Sequence, residues 1–303
     1  MSAGHHDHHP AAGGDHRLLG GALALILAFM AGEVVVGFAA GSLALLSDAA
    51  HMLTDAASLI LALVAMRLAV RPPRGGYTYG LRRTEILSAQ ANGMALLILA
   101  VGLAVEAIRH LVSPPPVAGT PVLVTALVGV VVNLGATLLI SRANRRDLNI
   151  RGAFAHILTD LYAFLATAVA GLVIVLTGYR RADGVATLVV AALMVRAGVG
   201  LLRASGRILL EAAPAGIDPG QVGSRLARVP GVSEVHDLHV WQIGSDSPAL
   251  SAHVLVAPGG DCHDTRRALE RLLSEAYGIE HTTLQVDHKD GGLLQIGLHR
   301  PPH

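Results

Sequence analysis

The sequence predicts a six-span helical membrane bundle followed by a small α+β domain. Three observations lead there. Of 303 residues, 52% are hydrophobic and only 15% charged, and the mean hydropathy is +0.53, too apolar for a soluble chain of this length. Six apolar stretches each reach the roughly 20 residues that cross a bilayer. From about residue 207 the pattern becomes charged and short-period, and spanning helices are no longer supported.

The N-terminal stretch HHDHHP carries His5, His6, His8 and His9. It lacks the basic start and apolar run of a cleaved signal peptide, so residues 1–16 are expected to be a retained, disordered, His-rich tail. Such a tract reads either as a metal collector or as incidental. Spans follow at about 17–39, 41–68, 84–110, 119–141, 153–178 and 183–203, giving a transmembrane domain over residues 17–206 and a soluble domain over 207–303.

Arginine placement sets the expected orientation, because short cytoplasmic loops are enriched in basic residues. Arg67, Arg71, Arg74, Arg82 and Arg83 surround the connection between spans two and three; Arg142, Arg145, Arg146 and Arg151 surround that between four and five. The opposite connections hold only Arg109, Arg180 and Arg181. Both termini are therefore expected in the cytoplasm. In the tail domain, QVGSRLARV reads as a helix and VSEVHDLHVWQI as a strand. SPALSAHVLVAP reads as a second strand, DTRRALERLLSEAYG as a helix and HTTLQVDH as a third strand. The GSDSP turn favours an antiparallel hairpin between the first two strands.

Net charge of +1 gives no electrostatic footprint for nucleic acid. Cys262 is the single cysteine, which excludes an intrachain disulfide and any multi-cysteine zinc module within one chain. Metal binding would have to use imidazole and carboxylate, and there are sixteen histidines.

The chemical signal lies inside the spans. Span two contains AHMLTD and span five AHILTD, so His51 and Asp55, and again His156 and Asp160, stand four residues apart on one helical face. Ionisable groups at membrane depth are costly and normally face a partner or a water-filled path. Two imidazoles and two carboxylates suit tetrahedral Zn²⁺, which also leaves such a site without a large geometric barrier. One such pair would read as an ordinary polar contact between helices; two mid-span copies favour an ion. No G-x-x-x-x-G-K-[ST] phosphate loop occurs, so ATP hydrolysis is unsupported. Metal ligands bind deprotonated, which couples metal to protons and points to antiport. An intramembrane zinc hydrolase would need a base such as that of H-E-x-x-H, which neither motif supplies. A membrane-anchored metal sensor would leave the paired intramembrane groups unexplained.

At these residues the chain resembles the cation diffusion facilitator family of proton-coupled zinc exporters. GSLALLSDAAHMLTD, YTYGLRRTEILSAQAN, AHILTD, HDLHVW and LSAHV carry the resemblance, in the family's order. It implies a transporter and not an enzyme, with His51, Asp55, His156 and Asp160 as transport-site ligands and Zn²⁺ as substrate, while Cd²⁺, Co²⁺ and Fe²⁺ stay open. It further implies a ferredoxin-like, metallochaperone-like cytoplasmic domain, a homodimer and a multi-pass location in the bacterial inner membrane. A second metal site on that domain is implied at His236, His253 and Asp287, with His239 or His263 as additional ligands. The loop RLAVRPPRGGYTYGLRR holds neither His nor Asp, so the loop site of some members is expected to be absent. Glu33, Asp48, Asn92, Asn133 and Asp183 match family polar positions and are expected to hydrogen-bond structurally.

Overall fold

The computed structural model describes residues 12–40, 43–113, 119–143 and 148–289. Residues 1–11 of the His-rich tail and the side chains of Glu33, Asp48, His51 and Asp55 lie outside the described residues, whereas residues 12–16, expected to be disordered, form the start of the first helix, because backbone bonding extends it beyond its apolar stretch. The chain divides into two compact units, Met1–Leu209 and Leu210–His303.

The first unit holds six long helices among the described residues: α1 (Ala12–Ala40), α2 (Leu43–Ala69), α3 (Thr84–Val112), α4 (Gly119–Ile140), α5 (Leu148–Thr177) and α6 (Ala182–Leu209). The shortest has 22 residues, about 33 Å at the helical rise, enough for the hydrocarbon layer. Four helices are apolar enough over their described length to span. For α1 and α2 the described apolar stretches are shorter, Arg17–Gly32 and Ala56–Ala69. In α3 the mean hydropathy is 2.0, yet only 17% of the window is buried by protein. Ile98, Val101 and Val131 are each at least 65% exposed. Apolar side chains uncovered by protein on this scale need lipid to cover them.

Hydrogen-bonding groups inside the bundle are mostly satisfied by their own helix. Thr159 Oγ1 donates to the Ala155 carbonyl at 2.7 Å, Ser205 Oγ to Leu201 at 2.9 Å, and Asn133 Nδ2 to Gly129 at 3.1 Å. This back-bonding keeps polar atoms away from lipid. Ser88 Oγ and Asn92 Nδ2 depart from it: both are buried, without a hydrogen-bond partner among the described residues. The structural bond expected of Asn92 is therefore not formed by its Nδ2.

Small residues set the closest helix approaches. A Cβ on Gly198 of α6 would lie 2.8 Å from the Gly93 carbonyl of α3, and one on Gly184 would lie 3.0 Å from the Ala107 carbonyl. Between α4 and α5, a Cβ on Gly129 would collide with the Phe164 ring and one on Gly171 would come within 3.2 Å of Leu123 N. Glycine at such crossings brings backbones together and gains packing where lipid supplies no hydrophobic drive. In the arginine-rich connection after α2, Gly80 has φ 71°, a region that favours glycine. Its position also leaves only 3.0 Å between a Cβ and the Arg71 carbonyl.

The second unit runs α7 (Pro219–Leu226), β1 (Val232–Gly244), β2 (Ser247–Val256), α8 (Cys262–Tyr277) and β3 (His281–His288). The sheet order is β1-β2-β3, with β2 antiparallel to β1 and parallel to β3. Asp218 caps α7, accepting from Gly220 N, with Pro219 at the first turn. Asp261 caps α8 through His263 N and Asp264 N at 2.8 and 2.9 Å. At its far end Gly278, φ 64°, takes the left-handed position that ends the helix. Alternation on β2 sends Leu250, Ala252 and Val254 into a core with Val222, Leu226, Leu269 and Leu273. His253 and Leu255 consequently lie on the opposite face.

Candidate metal sites

The two AH-x-LTD motifs sit on α2 and α5, which share one apolar cluster. Met52 and Leu59 of α2 pack with Ile150, Ala153 and Ile157 of α5, joined by Leu19 and Ile26 of α1 and Ile140 of α4. His156 is 1% exposed, with its Nε2 3.8 Å from Asp160 Oδ2. Tetrahedral N and O ligands of one zinc stand about 3.4 Å apart, so a small side-chain adjustment would let both reach a common ion. His51 and Asp55 lie on α2 by backbone position; their side chains are outside the described residues.

On the sheet, His236 and His253 are register partners across β1 and β2. Their rings stand edge to face, 5.4 Å apart at 72°. Carboxylates flank both. Glu234 Oε1 is 3.6 Å from His236 Nδ1; Asp237 Oδ1 is 3.0 Å from His239 Nε2, and Asp237 Oδ2 is 3.9 Å from His253 Nε2. Asp237 owes this reach to a β-bulge between His236 and His239 and a φ of 51°, which Asp tolerates better than most residues. Sequence reasoning passed over Asp237; the adjacent H-D in VHDLH was its only signal.

Asp287 stands apart from this group. Its register partner is Leu255, two positions beyond His253, and Oδ2 accepts from Gln285 Nε2 at 2.9 Å. His263 contributes its backbone N–H to the cap of α8. Among the described residues, no three His, Cys, Asp or Glu side chains are arranged to hold one ion. Imidazoles with carboxylates beside them still form the donor type that borderline divalent cations prefer. A further polar pair links α3 to α6, where His110 Nδ1 lies 2.9 Å from Asp183 Oδ2 and His110 Nε2 4.0 Å from Glu106 Oε1.

Near α8, the Asp261 carboxyl is held below its ordinary value of 3.8. The Asp264 N–H is the main cause, acting against partial desolvation and aided by the His263 N–H and the positive charges of His263 and Arg267.

This architecture, six long helices and a metal-ligand-rich α+β unit, is that of a multi-pass membrane transporter and not an enzyme. Residues 21–210 match the cation efflux transmembrane domain and residues 214–289 the cation efflux protein cytoplasmic domain; the chain belongs to the cation efflux family. Among its relatives is the zinc transporter ZitB of Shigella flexneri, 38% identical over 263 residues, covering 86% of this chain and 84% of the relative. The cadmium, cobalt and zinc/H(+)-K(+) antiporter of Bacillus velezensis is 35% identical over 286 residues, covering 93% and 91%. The metal-bound C-terminal domain of the CzcD transporter from Cupriavidus metallidurans is 28% identical, covers 23% of this chain and 97% of that domain, and has a TM-score of 0.22.

Proposed function

We propose that this protein exports zinc from the cytoplasm in exchange for protons, with Cd²⁺, Co²⁺ and Fe²⁺ as further candidate substrates. The observation that carries the reading is the repeated AH-x-LTD motif on two helices of one packed cluster, with His156 and its Asp160 neighbour buried among apolar side chains. Ionisable groups in such surroundings gain most when they close around a cation. On this reading His51, Asp55, His156 and Asp160 are the transport ligands. The names of the relatives, which carry zinc, cadmium, cobalt and proton antiport, support the same substrate class.

Each carrier cycle shows this site first to one side and then to the other, through rocking of helices against one another. Metal binds to neutral imidazole and ionised carboxylate, so loading expels protons, and protons that return promote release. Residues 17–206 form the transporting part and residues 207–303 its cytoplasmic domain. Both termini face the cytoplasm of a bacterial inner membrane, since the arginine-rich connections lie on that side. Two copies pair through the cytoplasmic domain, a reading supported by the match of residues 214–289 to the cytoplasmic domain of cation efflux proteins. His236, His253 and Asp287 form a regulatory zinc site there, with the Asp287 carboxylate leaving Gln285 when metal binds. Zinc held by the paired form alone would tighten the dimer by mass action.

Purified protein in vesicles under an imposed pH gradient tests the coupling. Zinc flux should follow the gradient, and His156→Ala should abolish it. Flux indifferent to the gradient would defeat the antiport reading. Unchanged zinc dependence after His236→Ala with His253→Ala would remove the regulatory site.

A further inference from the structure

Two polar side chains are buried on α3 without a bond to their own helix. Ser88 and Asn92 stand one turn apart on one face, 3% and 1% exposed. Neither Ser88 Oγ nor Asn92 Nδ2 has a hydrogen-bond partner among the described residues. Other buried groups of the bundle find one in the turn before. Asn133, as deeply covered, donates its Nδ2 to the Gly129 carbonyl, and Thr159 and Ser205 return their hydroxyls to carbonyls of Ala155 and Leu201. A buried donor left unpaired is costly, so Ser88 and Asn92 call for a partner from outside the helix.

Asn92 sits where three helices meet. A Cβ on Gly152 of α5 would lie 3.7 Å from Asn92 Nδ2 and 3.7 Å from Leu201 Cδ1 and Cδ2 of α6; one on the neighbouring Gly93 would lie 3.1 Å from Leu201 Cβ. His156 is one turn beyond Gly152 on nearly the same face of α5. Arginine-rich connections precede both α3 and α5, so from that end the order is Ser88, Asn92 and then His156. Four residues of helix rise about 6 Å, comparable with the reach of one bridging water whose hydrogen bonds are about 2.9 Å on each side. An amide N–H repels a cation, so Asn92 Nδ2 suits a water oxygen and not a metal ion.

We propose that Ser88 and Asn92 hold ordered water beside the transport site, a wet step between His156 and the arginine-rich end of the bundle. Buried water is held by roughly two to four polar groups, which Ser88 Oγ, Asn92 Nδ2 and the His156 ring supply. Polar side chains at membrane depth that face such water mark an ion's path. A dication entering this way exchanges its hydration shell against water already in place, where an all-apolar contact would seal the route. Ser88 and Asn92 are thus positioning residues and not ligands. Their part in entry rests on the carrier reading; the water itself does not.

Hydroxyl-radical labelling of the full-length protein in detergent, with radicals made from water by a short X-ray pulse, tests for the water. Radicals formed on bound water attack the nearest side chain, here Leu201, which is 4% exposed. Leu201 should take up oxygen at least about tenfold faster than Leu96, a buried leucine one turn beyond Asn92, and lose that advantage in Asn92→Leu. In vesicles, Asn92→Leu and Ser88→Ala should each lower zinc flux, the former at least about tenfold. The denaturation midpoint should stay level or rise, because an apolar group of similar size replaces a solvated one. Asn92→Gln, which keeps an amide N–H, should recover part of the flux. Labelling of Leu201 no faster than Leu96 in the wild type, labelling unchanged in Asn92→Leu, or flux unchanged in both variants would overturn the proposal. A fall in flux with a lower midpoint in both would overturn it too, since the pair would then be structural. If Asn92→Leu does not fold, Ser88→Ala and the wild-type labelling decide. Absence of wild-type flux would defeat the carrier reading instead, and the labelling alone would then decide whether the water is there.

Discussion

Replacing Gly198 by alanine sets two effects of opposite sign against each other at the α3/α6 crossing. Alanine in a helix is favoured over glycine by about 0.5–1 kcal/mol. The new Cβ, however, would stand 2.8 Å from the Gly93 carbonyl and 3.0 Å from Leu97 Cδ2 and Cγ. The nearest atom is backbone, so relief requires moving a helix, and overpacking of this kind costs about 1–3 kcal/mol. Gly200 supplies the control: it is exposed on the same helix, and its Cβ would meet nothing within 4 Å. Gly200→Ala should therefore stabilise by about 0.5–1 kcal/mol, while Gly198→Ala falls below it by about 1–3 kcal/mol. Denaturant unfolding of the full chain in mild detergent, followed by far-ultraviolet dichroism, measures the gap. Equal stability of the two variants would refute the argument that backbone contact between α3 and α6 sets the packing distance.

Other expectations are more local. Leu250→Ala, at a fully buried position of the cytoplasmic core, should cost about 2–5 kcal/mol; unfolding followed by the fluorescence of Trp241, the only tryptophan, reports on that unit. Asp261→Ala should destabilise the same unit near neutral pH. Because its carboxyl is held below 3.8, the contribution is present above that value and fades as pH falls through the lower folded-state pKa. The difference between the wild type and the variant should thus hold steady above the ordinary carboxyl value of 3.8 and shrink as pH falls below it in Trp241-monitored melts. His110→Ala removes the 2.9 Å link to Asp183 and should cost about 0.5–2 kcal/mol in the detergent unfolding assay.

Much of this architecture was readable from residue pattern alone. Apolar runs marked the helices because lipid-exposed and buried faces are both apolar, and the tail strands showed alternation around Leu250, Ala252 and Val254. Helix ends were harder. α5 begins at Leu148 and not near 153, and α6 continues through Arg203 and Arg207 to Leu209, because backbone bonding carries a helix past the point where its side chains turn polar. Paired motifs marked His156 and Asp160, since a four-residue spacing on a helix has only one geometric meaning. The strand-borne groups were less transparent. A bulge at Asp237 shifts register within HDLH, and whether Asp287 turns to His253 or to Gln285 depends on competing hydrogen bonds that spacing does not encode.

The glycine crossings also bear on motion. Helices whose backbones approach closely at Gly93 and Gly198, or at Leu123 and Gly171, have little room between them to take up a slide. Each of these couples is expected to move as one stiff blade. Shear is then cheapest along seams lined by longer side chains, such as the one where Met52 and Leu59 meet Ile150 and Ile157, the same seam on which the paired motifs lie.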